Sequence, residues 1–321
     1  MMDDPYWRDR AVLVTGGSSG LGRAIAEAFL RAGARVALVG LEPDGVAAAA
    51  SELERAFHAP ATAPSGGAAA VPNDSAAPAP KGPAEANLRR PATPNPPSTG
   101  AAAPEAPGPR VLGLPADVTR QEDVDRVVAA TVACFGRLDG LVNCAGRSAR
   151  GKVLDTTPEQ FRELMELNFI ALVRATRAAV PHVLPRRGHV VNIGSLAAKA
   201  ASRWVGAYPA TKHAVAAYSQ QLRLELGEAG LHVLLVCPGP IARQGERLYR
   251  LPGMDDVPEH ARQPGAGVRV RAIDPDWLAD RIVAACRRRQ PELVIPAKAR
   301  LLFALAQLFP RLSDRLVLWK T

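Results

Sequence analysis

Short apolar runs recur along the chain, separated by stretches whose apolar residues return every three or four positions. The runs at residues 11–15, 36–40, 110–114, 138–142, 190–193, 231–236 and 292–295 have the length of strands. Helical periodicity marks residues 23–31, 43–57 and 159–179 between them. The runs are continuously apolar rather than alternating, which identifies strands buried on both faces. Such strands belong to a parallel sheet covered by helices on either side. The expected fold is therefore α/β, a doubly wound parallel sheet.

One stretch breaks the alternation. Residues 59–109 are Ala, Pro, Gly and small polar residues, with 13 of the 29 prolines of the chain and no aromatic residue. Such a composition buries too little apolar surface to offset its ordering entropy, so a disordered insertion is expected there. It falls between a helix and the following strand, at the sheet edge opposite the ligand crevice, where length is tolerated. Without it, 321 residues reduce to the size of one domain, expected over 8–296, followed by a basic, amphipathic extension at 297–321.

The chemistry is concentrated in Tyr208-Pro209-Ala210-Thr211-Lys212. Residues four apart share a helix face, so the Lys212 ammonium can sit beneath the Tyr208 phenol. A nearby cation favours the phenolate and brings its pKa down from about 10, which makes the hydroxyl a usable acid/base. Ser195 closes an apolar run 13 residues before Tyr208, and Asn168 lies 27 residues before Ser195. Upstream, the strand at 11–15 runs into Gly16-Gly17-Ser18-Ser19-Gly20-Leu21-Gly22 and then a helix. Strand, glycine-rich turn and helix make a dinucleotide phosphate site: bare backbone approaches the pyrophosphate and the helix N-terminus favours its charge. The expected architecture is thus Rossmann-type. Gly16-Gly17-Ser18-Ser19-Gly20 also satisfies the nucleophile elbow G-x-S-x-G, which would make Ser18 the nucleophile of a serine hydrolase. Only ten residues precede that strand, however, and that reading leaves the spacing of Ser195, Tyr208 and Lys212 unexplained.

With these motifs in order, the chain resembles the short-chain dehydrogenase/reductase family from about residue 8 to 296. Thr15–Gly22 resembles its TGxxxGxG cofactor loop. Asn143-Cys144-Ala145-Gly146 resembles its N-[NC]-A-G segment, and Asn168, Ser195, Tyr208 and Lys212 fall on its catalytic tetrad. The resemblance implies hydride transfer between a nicotinamide and a carbonyl or secondary alcohol. Cofactor contacts are implied at Thr15, Gly16, Ser18, Ser19, Gly20, Leu21, Gly22, Gly40, Leu41, Asp117, Val118, Asn143, Ala145, Gly146, Tyr208, Lys212, Pro238, Gly239 and Ile241. It also implies a homodimer or homotetramer. Relatives that lose the tyrosine or lysine act as non-catalytic, redox-sensing dinucleotide binders, but both residues are present here. One departure is Arg243, where the family usually places Thr or Ser beside the nicotinamide carboxamide. Another concerns the cofactor. An acid ending the second strand would accept the NAD ribose hydroxyl and repel a 2′-phosphate, and Gly40 stands there, followed by Leu41 and Glu42. NADP(H) is therefore expected ahead of NAD(H).

The substrate is expected against a glycine- and proline-punctuated lid at 243–273. Its apolar and arginine residues suit a 3-oxoacyl or lipid-like ketone. The net charge of +9 comes from arginines without aromatic interleaving or zinc spacing, so no nucleic-acid partner is expected. Cys134, Cys144, Cys237 and Cys286 show no paired spacing and are expected as reduced, buried thiols. The six histidines show no ligand motif, so no metal is expected. The N-terminus lacks signal-peptide character and no apolar run spans a bilayer, so the expected location is cytoplasmic. The extension after Pro296 reads as a docking helix, with a peripheral membrane anchor as the sharper alternative.

Overall fold

The computed structural model describes residues 5–58, 108–242, 257–262 and 271–309, together with Arg311, Asp314, Arg315, Val317 and Leu318. All but the last two residues of the 59–109 insertion lie outside the described residues, as do 243–256 and 263–270 of the expected lid.

Seven strands form one parallel sheet: β1 (Ala11–Thr15), β2 (Arg35–Gly40), β3 (Val111–Pro115), β4 (Gly140–Asn143), β5 (His189–Ile193), β6 (His232–Pro238) and β7 (Glu292–Ile295). Their order is β3-β2-β1-β4-β5-β6-β7. The helices are α1 (Gly20–Arg31), α2 (Pro43–His58), α3 (Gln121–Phe135), α4 (Pro158–Met165), α5 (Ala171–Val183), α6 (Tyr208–Leu226), α7 (Glu259–Arg262), α8 (Pro275–Arg287) and α9 (Ala299–Leu308).

The strands read as unbroken apolar runs because each has two buried faces. On β1, Val12 and Val14 pack with Ile25, Phe29 and Leu30 of α1 and with Leu278 and Ile282 of α8. Ala11 and Leu13 point the other way, onto Val124, Val127 and Val128 of α3 and Ala171, Ala175 and Ala179 of α5. Local signals set the element ends. Thr157 and Gln160 form a reciprocal capping box ahead of Pro158. Asp274 accepts from the Trp277 N–H at the start of α8, and Gly136 ends α3 in the left-handed conformation at φ 70°.

Chain direction across the sheet reverses between β1 and β4, the topological switch point. The crevice outside the carboxyl ends of these two strands is where ligands bind in such sheets. Thr15, Asn143 and the residues after Ile193 all reach that edge. At the opposite edge, Asp139 is 1% exposed; it accepts from the Ala11 N–H and takes two 2.7 Å bonds from Arg137.

Candidate active site

Tyr208 is the first residue of α6, and Pro209 supplies a preset φ where no N–H is needed. One turn on, Lys212 is buried, with its Nζ 5.7 Å from the centre of the Tyr208 ring. Nζ donates to the Ile193 carbonyl at 2.8 Å, which ties α6 to the end of β5. Burial pulls the Lys212 pKa down to about 8, against a smaller upward pull from the neighbouring Cys144 and Cys237 thiols. Two residues beyond Ile193, Ser195 caps a short 3₁₀ turn, Leu196–Ala198, and its Oγ accepts from the Ala197 N–H at 3.1 Å. Accepting that bond leaves the Ser195 hydroxyl proton free for another partner.

The helical stretch expected over 159–179 is interrupted. A π-helical turn, Glu166–Ile170, separates α4 from α5, and Asn168 sits within it. One-turn π insertions recur at functional sites because the extra residue redirects side chains and carbonyls. Asn168 is 1% exposed; it accepts from the Arg147 N–H at 2.9 Å and donates to the Arg147 carbonyl and to Thr211 Oγ1. It thereby joins the loop after β4 to α6. Gly146, at φ +155°, fits there because a Cβ would lie 2.8 Å from Asn168 Oδ1.

The glycine loop after β1 is made of bare backbone by necessity. Gly16 has φ +65°, and a Cβ there would lie 3.0 Å from the Ala145 backbone; a Cβ on Gly22 would collide with the Gly16 carbonyl oxygen. Ser19 is the N-cap of α1 with no side-chain cap bond, and the first turn of α1, which includes Leu21, carries no acid. The positive end of that helix is therefore presented to the crevice without an internal counter-charge. Thr15 Oγ1 accepts from the Cys144 and Ala145 N–H groups, which holds the loops after β1 and β4 together. Asn143 Nδ2 donates to Thr176 Oγ1 and Asn192 Oδ1, whereas its buried Oδ1 has no partner. Gly40 adjoins Ser18: a Cβ there would lie 2.6 Å from Ser18 Oγ. Leu41 is 65% exposed. Asp117 accepts from both the N–H and the hydroxyl of Thr119, a local turn that sets Val118 against the α3 layer. Gly239 donates to the Ile295 carbonyl, and Ile241 bridges to Ile273. Arg243 lies outside the described residues.

The profile of the short chain dehydrogenase family matches residues 10–66 and 92–248, well over half of the chain. The chain belongs to this family. It is 32% identical to the uncharacterized oxidoreductase YxnA of Bacillus subtilis over 217 residues, covering 64% of this chain and 57% of that one. It is 30% identical to dehydrogenase/reductase SDR family member 7B of Bos taurus over 237 residues, covering 74% of this chain and 59% of that one. The chain spans about half the length of the curated relatives it matches. Among solved structures, a short-chain dehydrogenase from Streptomyces avermitilis superposes with a TM-score of 0.66 at 26% identity, over 97% of this chain and 95% of that one. A short chain dehydrogenase/reductase from Burkholderia phymatum, solved in complex with NAD, superposes with a TM-score of 0.69 at 18% identity, over 97% and 96% of the two chains. At that identity the second likeness speaks to the fold alone.

Three arrangements in this chain escape sequence reasoning. First, Arg150 is buried and donates from Nε to the Ala261 carbonyl and from Nη1 to Ser148 Oγ and the Ala149 carbonyl. Trp204 packs on Val257 and Ala261 beside it and holds φ 66°, a costly backbone for an aromatic residue. Together they fasten α7, inside the expected lid, to a stretch that includes Trp204, four residues before Tyr208. Second, histidines that share no sequence motif do meet: ligand atoms of His189, His232 and Cys286 lie within 4.8 Å of one another. Each histidine ring nitrogen has a hydrogen-bond partner, so the group reads as a closed polar chain at the amino edge of the sheet. Third, Cys134 is exposed on α3, contrary to the expectation of four buried thiols. Cys237 and Cys286 are buried as expected and Cys144 is partly so, and desolvation pushes the Cys144 and Cys237 pKa values up to about 11 and about 12. The hydrolase alternative finds no support, since His189 and His232 begin their strands and, among the described residues, no histidine stands at a strand's carboxyl end.

Proposed function

We propose that this short-chain dehydrogenase is a nicotinamide-dependent oxidoreductase acting on a carbonyl or secondary alcohol. The observation that carries the reading is the buried Lys212 ammonium one helical turn from the Tyr208 phenol, beside the turn that bears Ser195. The crevice fits a dinucleotide: the Gly16–Gly22 backbone and the acid-free N-terminus of α1 would hold the pyrophosphate. Asp117 and Val118 would lie along the adenosine, and Asn143, Ala145, Gly146, Pro238, Gly239 and Ile241 along the nicotinamide half. When bound, that group supplies or accepts the hydride.

The chain's own residues handle position and protons. In the reductive direction Ser195 donates a hydrogen bond to the substrate oxygen as negative charge develops on it. Tyr208 passes its phenolic proton to that oxygen, and Lys212 stabilises the phenolate left behind. Asn168, fixed between the loop after β4 and α6 by its bonds to Arg147 and Thr211, is the residue proposed to hold a water that links Lys212 to solvent.

NADP(H) is the favoured partner. The reading rests on Gly40, which has no room for the acid that would repel a 2′-phosphate; Arg23, the first guanidinium after the loop in sequence, is taken up by Glu52 at 2.6 Å and adds nothing to it. The proposed substrate is a 3-oxoacyl or lipid-like ketone, and the proposed assembly is a homodimer or homotetramer. Titrating NADPH and NADH, then following cofactor oxidation across a carbonyl panel, tests all but the assembly. NADPH bound more tightly and oxidised in the presence of apolar ketones is the expected result. A Kd for NADH at least about tenfold tighter, over 1.4 kcal/mol, would overturn the cofactor assignment. Binding without turnover on any carbonyl would make the protein a dinucleotide-binding sensor instead.

A further inference from the structure

The last described helix, α9, is apolar on two opposite sides. Ala299 and Phe303, one turn apart, dock on a core cluster with Leu172, Val215, Leu235 and Val294. Leu301 and Leu308 are seven residues apart and so share a face, and they are 69% and 71% exposed. Phe309 and Leu318 continue that character, at 56% and 55% exposed. Lys298 and Arg300 precede the exposed stripe, and Arg311 and Arg315 follow it, all four exposed. From residue 297 onward the sequence holds five bases and one acid, Asp314. A groove lined by Trp277, Arg281 and Arg288 adjoins the start of this segment at Pro296 and Ala297, with Arg281 stacked on the Trp277 ring.

We propose that this face of α9 rests on an anionic lipid surface, with Leu301, Leu308 and Phe309 entering the interface and the flanking bases meeting the headgroups. A helix docked on one side with large apolar residues bare on the other has the form of an interfacial element. Charge decides between lipid and a second copy of the chain. A two-fold contact would set this patch against itself and bring each cluster of bases against an equivalent cluster. An anionic bilayer complements the same charges. None of the described helices is long and apolar enough to cross a membrane, so the contact is peripheral.

The test uses the full chain and co-sedimentation with phosphatidylcholine vesicles, with and without phosphatidylglycerol. Binding is expected only with the anionic lipid and should weaken as salt rises. The triple variant Leu301→Ser, Leu308→Ser, Phe309→Ser replaces exposed groups, so it should keep its circular dichroism and lose vesicle affinity by at least about tenfold. Reversing Lys298, Arg300, Arg311 and Arg315 to Glu should abolish binding, each charge contributing about fivefold. The proposal fails if the full chain ignores anionic vesicles, or if both variants bind as the parent does. It also fails if the serine variant drops to a smaller species by light scattering while the parent binds no lipid, since a second copy would then cover the face.

Discussion

Replacing both histidines of the buried pair, His189→Gln with His232→Gln, should flatten the acid limb of the protein's stability curve. Gln290 offers only a carbonyl to His232 Nε2 at 2.7 Å, so that nitrogen carries the proton and Nδ1 must accept. His189 Nδ1 then donates across 2.8 Å, and its Nε2 accepts from the Tyr6 hydroxyl at 2.7 Å. With both rings neutral the chain closes in this sense, and burial is what keeps them neutral. Burial first, and then the neighbouring ring and arginines, push the His189 pKa down to about 2; burial leads again in bringing His232 to about 4. In the unfolded chain both histidines titrate near ~6.5. Between pH ~6.5 and ~4 the unfolded state therefore binds protons that the folded state refuses, so stability is full above ~6.5 and is lost as pH falls. Each histidine costs about 2 kcal/mol from pH ~7.5 to ~5, hence roughly 4 kcal/mol for the pair, against a typical total of 5–15 kcal/mol. Urea unfolding followed by circular dichroism across that range measures it. The double variant should start less stable near pH ~7.5 but lose little on acidification before the carboxylates titrate. A parent protein whose stability changes by less than about 1 kcal/mol over the window, or a double variant with the same slope, would refute the closed neutral chain.

Other outcomes follow from single contacts. Gly22→Ala sets a methyl against the Gly16 carbonyl oxygen, so it should cost about 1–3 kcal/mol and weaken dinucleotide binding at least about tenfold, read by nicotinamide fluorescence. Asp139→Ala leaves the Ala11 N–H and Arg137 without their acceptor and should lower stability by about 3 kcal/mol in urea, with cofactor affinity unchanged because the site lies at the far edge. Arg150→Ala removes the tie to Ala261 and should raise KM for the carbonyl substrate several-fold while leaving the cofactor Kd within about twofold.

The sheet was legible because burial on both faces writes continuous apolar runs into the sequence, as at residues 11–15 and 231–236. Tyr208 and Lys212 were legible because a helix turns a four-residue spacing into adjacency. The glycine loop could be read because bare backbone is a steric demand, visible at Gly16 and Gly22. What stayed hidden depends on long-range packing. A one-residue π insertion at Asn168 leaves the apolar periodicity nearly intact. His189, His232 and Cys286 meet across elements far apart in sequence, so no spacing announces them. The Arg150 tie ends on a backbone carbonyl, which carries no residue signature at all. Cys134 lies in an apolar run, yet its place on α3 faces outward.

The central claim, proton transfer by Tyr208 beside a buried Lys212, is tested most directly by Tyr208→Phe. The substitution keeps the ring at the head of α6 and removes only the hydroxyl. Turnover of any carbonyl that the parent reduces should fall by at least about a hundredfold, the contribution of a positioned general acid. Dinucleotide affinity, measured on the same preparation, should stay within about threefold, since the Gly16–Gly22 loop and Lys212 are untouched. Turnover within about tenfold of the parent would contradict the assignment of Tyr208 as the acid.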